Sequence, residues 1–269
     1  MKNTAEKVAA LKALLAGLKN VLVAFSGGVD SAFLLAVAKE AVGDRARAVT
    51  AVSPTYSPHE VEAARRMADR LGVPLEILET DEFNDERFVA NSAERCYWCK
   101  QELFGKLVRK AAAWGAVVVD GANADDTGDY RPGMRAAREL GVRSPLMEVG
   151  LTKEEIRAES RRMGLPTWDK PSYACLASRI PYGTRITPAI VARIEGCERF
   201  LRESGFSQVR VRHHDTLARI EVTPPEFDRL LEPVFRARLV AAFKAQGYAY
   251  VTLDLQGYRT GSMNEVLPR

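Results

Sequence analysis

Apolar positions along this chain alternate between two patterns. Val21-Leu22-Val23-Ala24-Phe25, Ala48 to Val52, Leu75 to Leu78 and Val117 to Asp120 are short, mostly apolar runs, as expected of strands buried on both faces. Between them, apolar residues recur at helical spacing. Val8, Leu11, Leu15 and Leu18 precede the first strand, Ala32 to Ala41 follows it, and Ala64, Met67, Ala68 and Leu71 mark a helix over Glu60 to Leu71. A longer helical region is expected roughly from Glu82 to Trp114. Asn3 with Glu6, and Thr152 with Glu155, read as helix-opening caps, the second helix closing at Gly164. Strands alternating with helices predict βαβ units and an α/β fold with a doubly wound parallel sheet. Ligands of such sheets bind beyond the carboxyl ends of the strands, so the residues that follow strands matter most.

The pattern changes after a Pro- and Gly-rich loop from Pro166 to Gly183. Ile190, Ile194, Cys197 and Leu201 form a helical stripe. Val209/Val211 and Ala218/Ile220/Val222 alternate with polar residues as half-buried strands. A helix near Pro225 to Gln246 and a strand near Tyr248 to Asp254 complete a smaller α+β domain. The expected division is 1–180 and 181–269, with a boundary near Pro181 and no internal repeat.

Composition narrows the class. With 269 residues, 46% hydrophobic and 28% charged, the chain can bury a sizeable core and is neither disordered nor fibrous. The longest apolar runs fall far short of the ~20 residues that span a bilayer. The first 18 residues mix Lys and Glu with aliphatics, unlike a signal peptide, so a cytoplasmic location and no membrane partner are expected. A net charge of +4 is mild for a nucleic-acid binder and suits an enzyme of anionic metabolites. Four cysteines in such a chain are not expected to form structural disulfides.

The chemistry begins at Phe25-Ser26-Gly27-Gly28-Val29-Asp30-Ser31, between the first strand and its helix. Glycines permit a tight turn and close backbone approach, and the following helix offers unpaired N–H groups to an anion. Ser26 and Ser31 add hydroxyl donors, while Asp30 can orient the loop or help hold Mg²⁺. Ser53, after the second strand, and Asn123, after the fourth, join Gly27 and Gly28 as ATP-binding candidates. Cys96-Tyr97-Trp98-Cys99 is a CxxC, and Cys175 lies in the loop before Pro181. Cys197 continues an apolar stripe and reads as a buried structural thiol. No second CxxC or CxxH completes a zinc site. Three thiolates suit a [4Fe–4S] cluster with one iron open, while a redox pair is the plainer reading of the CxxC.

The Ser-Gly-Gly-Val-Asp-Ser loop resembles the PP-loop of ATP pyrophosphatases, which cleave ATP between its α and β phosphates and adenylate a substrate oxygen. Three further segments, Arg95-Cys96-Tyr97-Trp98-Cys99-Lys100, Gly121-Ala122-Asn123 to Gly133, and Pro171 to Gly183 containing Cys175-Leu176-Ala177-Ser178-Arg179, resemble the LarE family over nearly the whole chain. Members of that family are sulfur transferases of nickel-pincer cofactor synthesis. The resemblance implies ATP, Mg²⁺ and a small-molecule nucleotide substrate, pyridinium-3,5-biscarboxylic acid mononucleotide, whose adenylated carboxylates become thiocarboxylates. It implies Cys175 and Asp30 as catalytic residues and Cys96, Cys99 and Cys175 as ligands of a [4Fe–4S] cluster carrying external sulfide. The other course within the family is sacrificial, Cys175 giving up its own sulfur and becoming dehydroalanine. Asp125, Asp126 and Asp129 are candidate Mg²⁺ ligands. Arg131, Ser178, Arg179, Glu198, Arg210, Arg212 and Glu221 are substrate-binding candidates, with Asp228 a weaker one. His213 and His214 read as surface residues at a strand end. The resemblance also implies a homo-oligomer such as a hexamer.

Three other functions compete with this one. A tRNA thiolase would share the loop and the thiols, but the near-balanced charge and the lack of a basic extension argue against an RNA partner. An amidating ligase has no need of three thiols. A non-catalytic nucleotide-binding regulator would release no pyrophosphate.

Overall fold

The computed structural model describes residues 3–128, 132–171, 173–259 and 261–266. The chain divides into two compact units, one of residues 1–85 and 94–173, the other of residues 86–93 and 174–269, so the expected boundary near Pro181 lies inside the second.

In the first unit, strands β1 (Val21–Ala24), β2 (Ala46–Val52), β3 (Leu75–Glu79) and β4 (Val117–Val119) form a parallel sheet in the order β3-β2-β1-β4. Val21 pairs with both Ala46 and Val117, which places β1 at the centre. Side chains alternate between two cores. Val21, Val23, Ala46 and Ala48 pack with helices α1 (Thr4–Gly17), α2 (Val29–Val42) and α3 (Pro58–Arg70). Leu22, Val49, Ala51 and Val118 pack on the other face, against Leu103, Phe104 and Leu107 of helix α5 (Arg95–Trp114) and Ala137 of helix α6 (Pro132–Glu139). The sheet is therefore doubly wound, and both faces are covered. Short helix α7 (Pro145–Glu148) and helix α8 (Lys153–Arg162) complete the unit. Both predicted capping boxes are present, Asn3 with Glu6 on α1 and Thr152 with Glu155 on α8, and Gly164 takes a left-handed φ of 67° just past α8.

The expected long helix from Glu82 to Trp114 is broken. A 3₁₀ turn at Glu82–Asn84 leads to helix α4 (Glu86–Val89), and α5 restarts at Arg95. Between α4 and α5, Asn91 has φ of 56° and donates its side-chain amide to the carbonyls of Ile180, Pro181 and Thr184. Those bonds hold residues 86–93 in the second unit.

That unit contains helix α9 (Pro188–Glu203), strands β5 (Arg210–His214) and β6 (Leu217–Glu221), helices α10 (Phe227–Leu231) and α11 (Pro233–Ala245), and strand β7 (Tyr250–Leu253). β5 and β6 are antiparallel, β6 and β7 parallel. The expected helix from Pro225 to Gln246 is interrupted where Glu232 is extended ahead of Pro233 (φ −52°, ψ 129°), as steric clash with a proline ring requires. β5 is also less solvated than its alternation suggested. Arg210, Arg212 and His213 are buried along with Val211, and only His214 is exposed, so His213 is not a surface residue. Its Nδ1 lies 3.1 Å from the Tyr248 hydroxyl, and burial, then Arg193, lower its pKa. Among the described residues no helix is long and apolar enough to cross a membrane.

Candidate active site

The chain order leaves β1 in one direction towards β2 and β3 and returns on its other side as β4, so the crevice of the first unit opens beyond β1 and β4. The loop after β1 is stitched by its own hydroxyls. Ser26 Oγ and Ser31 Oγ are 3.0 Å apart, the Gly28 N–H donates to Ser26 Oγ, and Ser31 Oγ donates to the Gly28 carbonyl. Gly27 has φ of 70°, and a Cβ there would lie 3.0 Å from the Cα and Cβ of Ala64 on α3. Only glycine meets both conditions without strain. Gly28 is the N-cap of α2 and brings no side-chain cap, so the first-turn N–H groups have no side-chain acceptor there. Gly121, after β4, closes on this turn, a Cβ being 3.0 Å from the Ser31 nitrogen.

The loop after β4 completes the arrangement. Asn123 donates its side-chain amide to Asp30 (3.3 Å), and its own N–H donates to Asp126 (2.9 Å). The Asp125 N–H donates to the Asn123 side-chain oxygen, and Asp125 accepts the Lys153 N–H at the start of α8. The Lys153 ammonium forms a short ion pair with Asp30. Lys170 supports the loop from beneath, donating to the Gly27 carbonyl (3.1 Å) and to Glu60 (2.7 Å). Sequence reasoning missed Lys153 and Lys170. Lys153 had a signal, since it directly follows a recognised cap at Thr152, whereas Lys170 had none. Asp125 and Asp126 each spend an oxygen on a backbone N–H, and among the described residues no group of three metal-capable side chains gathers. Asp129 and Arg131 lie outside the described residues. Ser53, beyond β2, directs its hydroxyl to Glu82.

Cys96 and Cys99 lie near the start of α5, three residues apart and therefore on one face, both half-buried. The Arg95 guanidinium is 3.9 Å from Cys96 Sγ. Cys197 is different: burial, then the neighbouring Glu198 charge, pushes its thiol up to about 12. It stays protonated and inert.

In the second unit, Cys175 is half-buried at the head of a 3₁₀ turn, Leu176–Arg179. Ser178 Oγ donates to the Cys175 carbonyl (2.8 Å), and Arg179 donates to the Ala174 and Cys175 carbonyls. The rest of the Arg179 fork grips Glu198 at 2.8 and 3.0 Å, both side chains being 0% exposed. Burial alone would raise the Glu198 carboxyl, but the Arg179 charge overrides it and holds it below its ordinary value. Arg212 makes the same kind of fork to Glu221 (2.8 and 2.7 Å) and donates to the Ser178 carbonyl. Arg210 lies over the Tyr258 ring, and burial, then Arg179, lower its pKa. Ser178, Arg179, Glu198, Arg212 and Glu221, singled out separately in the sequence, thus form one hydrogen-bonded group with Arg210 beside it, while Asp228 is exposed.

Comparison with known proteins agrees with these features. The asparagine synthase family profile matches residues 8–113, the part that contains the phosphate loop. The chain is 44% identical over 264 residues to an uncharacterized protein of Synechocystis sp., covering 98% of each. It is 38% identical over 271 residues to the pyridinium-3,5-bisthiocarboxylic acid mononucleotide synthase of Lactiplantibacillus plantarum, covering 100% of this chain and 98% of that one. A tRNA-specific 2-thiouridylase of Thermus thermophilus is 30% identical over 200 residues, 57% of this chain and 53% of that enzyme.

Proposed function

The chain belongs to the LarE-like family of PP-loop ATP pyrophosphatases, and we propose that it adenylates the carboxylates of pyridinium-3,5-biscarboxylic acid mononucleotide and replaces the AMP by sulfur. The observation that carries this reading is the meeting of the uncapped α2 terminus, Asp30, Asn123 and Lys153 at the switch point of a doubly wound sheet. Ser26, Gly27, Gly28 and Ser31 take the polyphosphate through backbone N–H and hydroxyl donors. Lys153, released in part from Asp30, neutralises charge that grows on the leaving pyrophosphate. Mg²⁺ arrives with ATP and needs only one or two carboxylates, which Asp30 and Asp125 or Asp126 supply, with Asp129 a further candidate. A carboxylate becomes an electrophile once AMP is its leaving group, and a thiolate or sulfide then displaces it.

The second unit takes the substrate mononucleotide. Arg210 and Arg212 are the proposed phosphate-binding pair, with Arg131 a further candidate from the first unit, and Arg179 with Glu198 fixes the turn that presents Cys175. The half-buried thiols Cys96, Cys99 and Cys175 are the proposed ligands of a [4Fe–4S] cluster: thiolate is its usual ligand, and two of the three lie on one helical turn, although among the described residues no metal-holding group of three gathers. Such a cluster, when bound, supplies an iron site for external sulfide. A homo-oligomeric state and a cytoplasmic site of action are proposed with the family.

Anaerobic preparations test the sulfur source. Cys96→Ala, Cys99→Ala and Cys175→Ala are each expected to lose iron and sulfur transfer, and Cys197→Ala neither. An iron-free protein that transfers sulfur, needs only Cys175 and loses the mass of one H₂S per turnover would establish the sacrificial course instead.

A further inference from the structure

Glu82, on the 3₁₀ turn after β3, is an acid beside the nucleotide site that the proposed chemistry leaves unused. It is 1% exposed. Its Oε1 accepts the hydroxyls of Ser53 and Thr55, the latter at 3.1 Å, and its Oε2 is buried without a hydrogen-bond partner among the described residues. A carboxylate oxygen left unpaired in a buried place is costly, and such groups persist where a ligand completes them.

Proton counting fixes the polarity of the neighbouring hydroxyl. Ser53 has one hydroxyl proton, and it is spent on Glu82 directly or on Thr55 Oγ1, 2.9 Å away and itself bonded to Glu82. One lone pair of Ser53 Oγ receives the Thr55 N–H at 3.2 Å. Towards a ligand, the half-buried Ser53 Oγ is therefore an acceptor, with a carboxylate behind it. A phosphate oxygen is also an acceptor and is repelled here. An N–H or O–H group is what fits, and on ATP those groups belong to the nucleoside: the adenine amine and the ribose hydroxyls.

Taking the phosphate loop as the ATP site, we propose that Glu82 is a positioning residue. It turns Ser53 into an acceptor for a hydrogen-bond donor on the ATP nucleoside, beyond the ends of β2 and β3, and keeps the phosphates at β1. Glu82→Gln preserves size but makes one of the two oxygens a donor, reversing the polarity on one side.

Equilibrium binding with Mg²⁺ tests this, using ATP, purine riboside 5′-triphosphate, which lacks the amine, and 2′- and 3′-deoxy-ATP. The wild-type chain is expected to bind at least one analogue about tenfold more weakly than ATP, and that analogue names the donor. Glu82→Gln and Ser53→Ala are expected to bind ATP about tenfold more weakly and to lose discrimination against that analogue. Equal affinity of the wild-type chain for all four nucleotides overturns the proposal, with no need for a variant to fold. So does a Glu82→Gln protein that keeps both affinity and discrimination. If the wild-type chain binds no ATP at all, the phosphate-loop reading itself fails first.

Discussion

Asp30 and Lys153 meet at the carboxyl edge of the parallel sheet with 22% and 31% of their side chains in solvent, whereas Arg179 and Glu198 of the second unit meet with none. The first pair is screened and exchangeable. Its partners can be given up to a polyphosphate at little cost to folding, because an exposed ion pair contributes only about 0–1 kcal/mol. The second pair is locked, since removing one member strands a charge in a place without water. Charges of the first kind suit a ligand that comes and goes. Those of the second kind fix the backbone of a turn, here the one carrying Cys175.

The sharpest consequence concerns the thiols. Cys197, pushed up to about 12, has roughly three-thousandfold less thiolate than an ordinary thiol of pKa about 8.5. In iron-free native protein at pH 8, iodoacetamide is expected to label the half-buried Cys96, Cys99 and Cys175 and to spare Cys197 until the chain unfolds, as peptide mass mapping will show. Early labelling of Cys197 would remove the claim that this region is sealed.

Stability separates the two ion pairs next. Glu198→Ala is expected to cost about 3–5 kcal/mol in urea unfolding, and Asp30→Ala less than about 1 kcal/mol. Equal losses would erase the distinction. Gly27→Ala is expected to cost about 1–2 kcal/mol for its left-handed backbone, more if Ala64 cannot shift, and to weaken ATP binding as well.

A smaller effect than at Glu198 is expected at the cap of α8, beside Lys153. Burial alone would raise the Glu155 carboxyl, but hydrogen bonds from Lys7, the Thr152 N–H and Thr4 lower it to about 2. Its stabilisation is complete above its ordinary value of 4.5 and is lost as pH falls towards 2. Glu155→Gln is expected to cost about 1 kcal/mol at pH 7, and the gap to wild type should narrow steadily below pH 4.5. A gap independent of pH would assign the loss to packing.

The same contrast governs what was legible in the sequence. Apolar strands, both capping boxes and the phosphate loop depend on residues close together in the chain, and all were readable. The break at Asn91 was not, because it is held by carbonyls about 90 residues away, although Asn is among the non-glycine residues most tolerant of its left-handed φ. The break at Glu232 was readable from the proline that follows and was overlooked. Alternation along β5 suggested a solvated face at Arg210 and Arg212. Alternation shows which residues share a face, but not that a bidentate partner such as Glu221 allows that face to be buried.

Release of pyrophosphate from MgATP, with and without the pyridinium mononucleotide, tests the account most directly when wild type and Asp30→Ala are compared. The account predicts substrate-dependent pyrophosphate and AMP from the wild type. It predicts a rate at least about 100-fold lower from Asp30→Ala, at nearly unchanged unfolding stability. A folded Asp30→Ala protein that releases pyrophosphate at the wild-type rate, or a wild-type protein that releases orthophosphate instead, would contradict it.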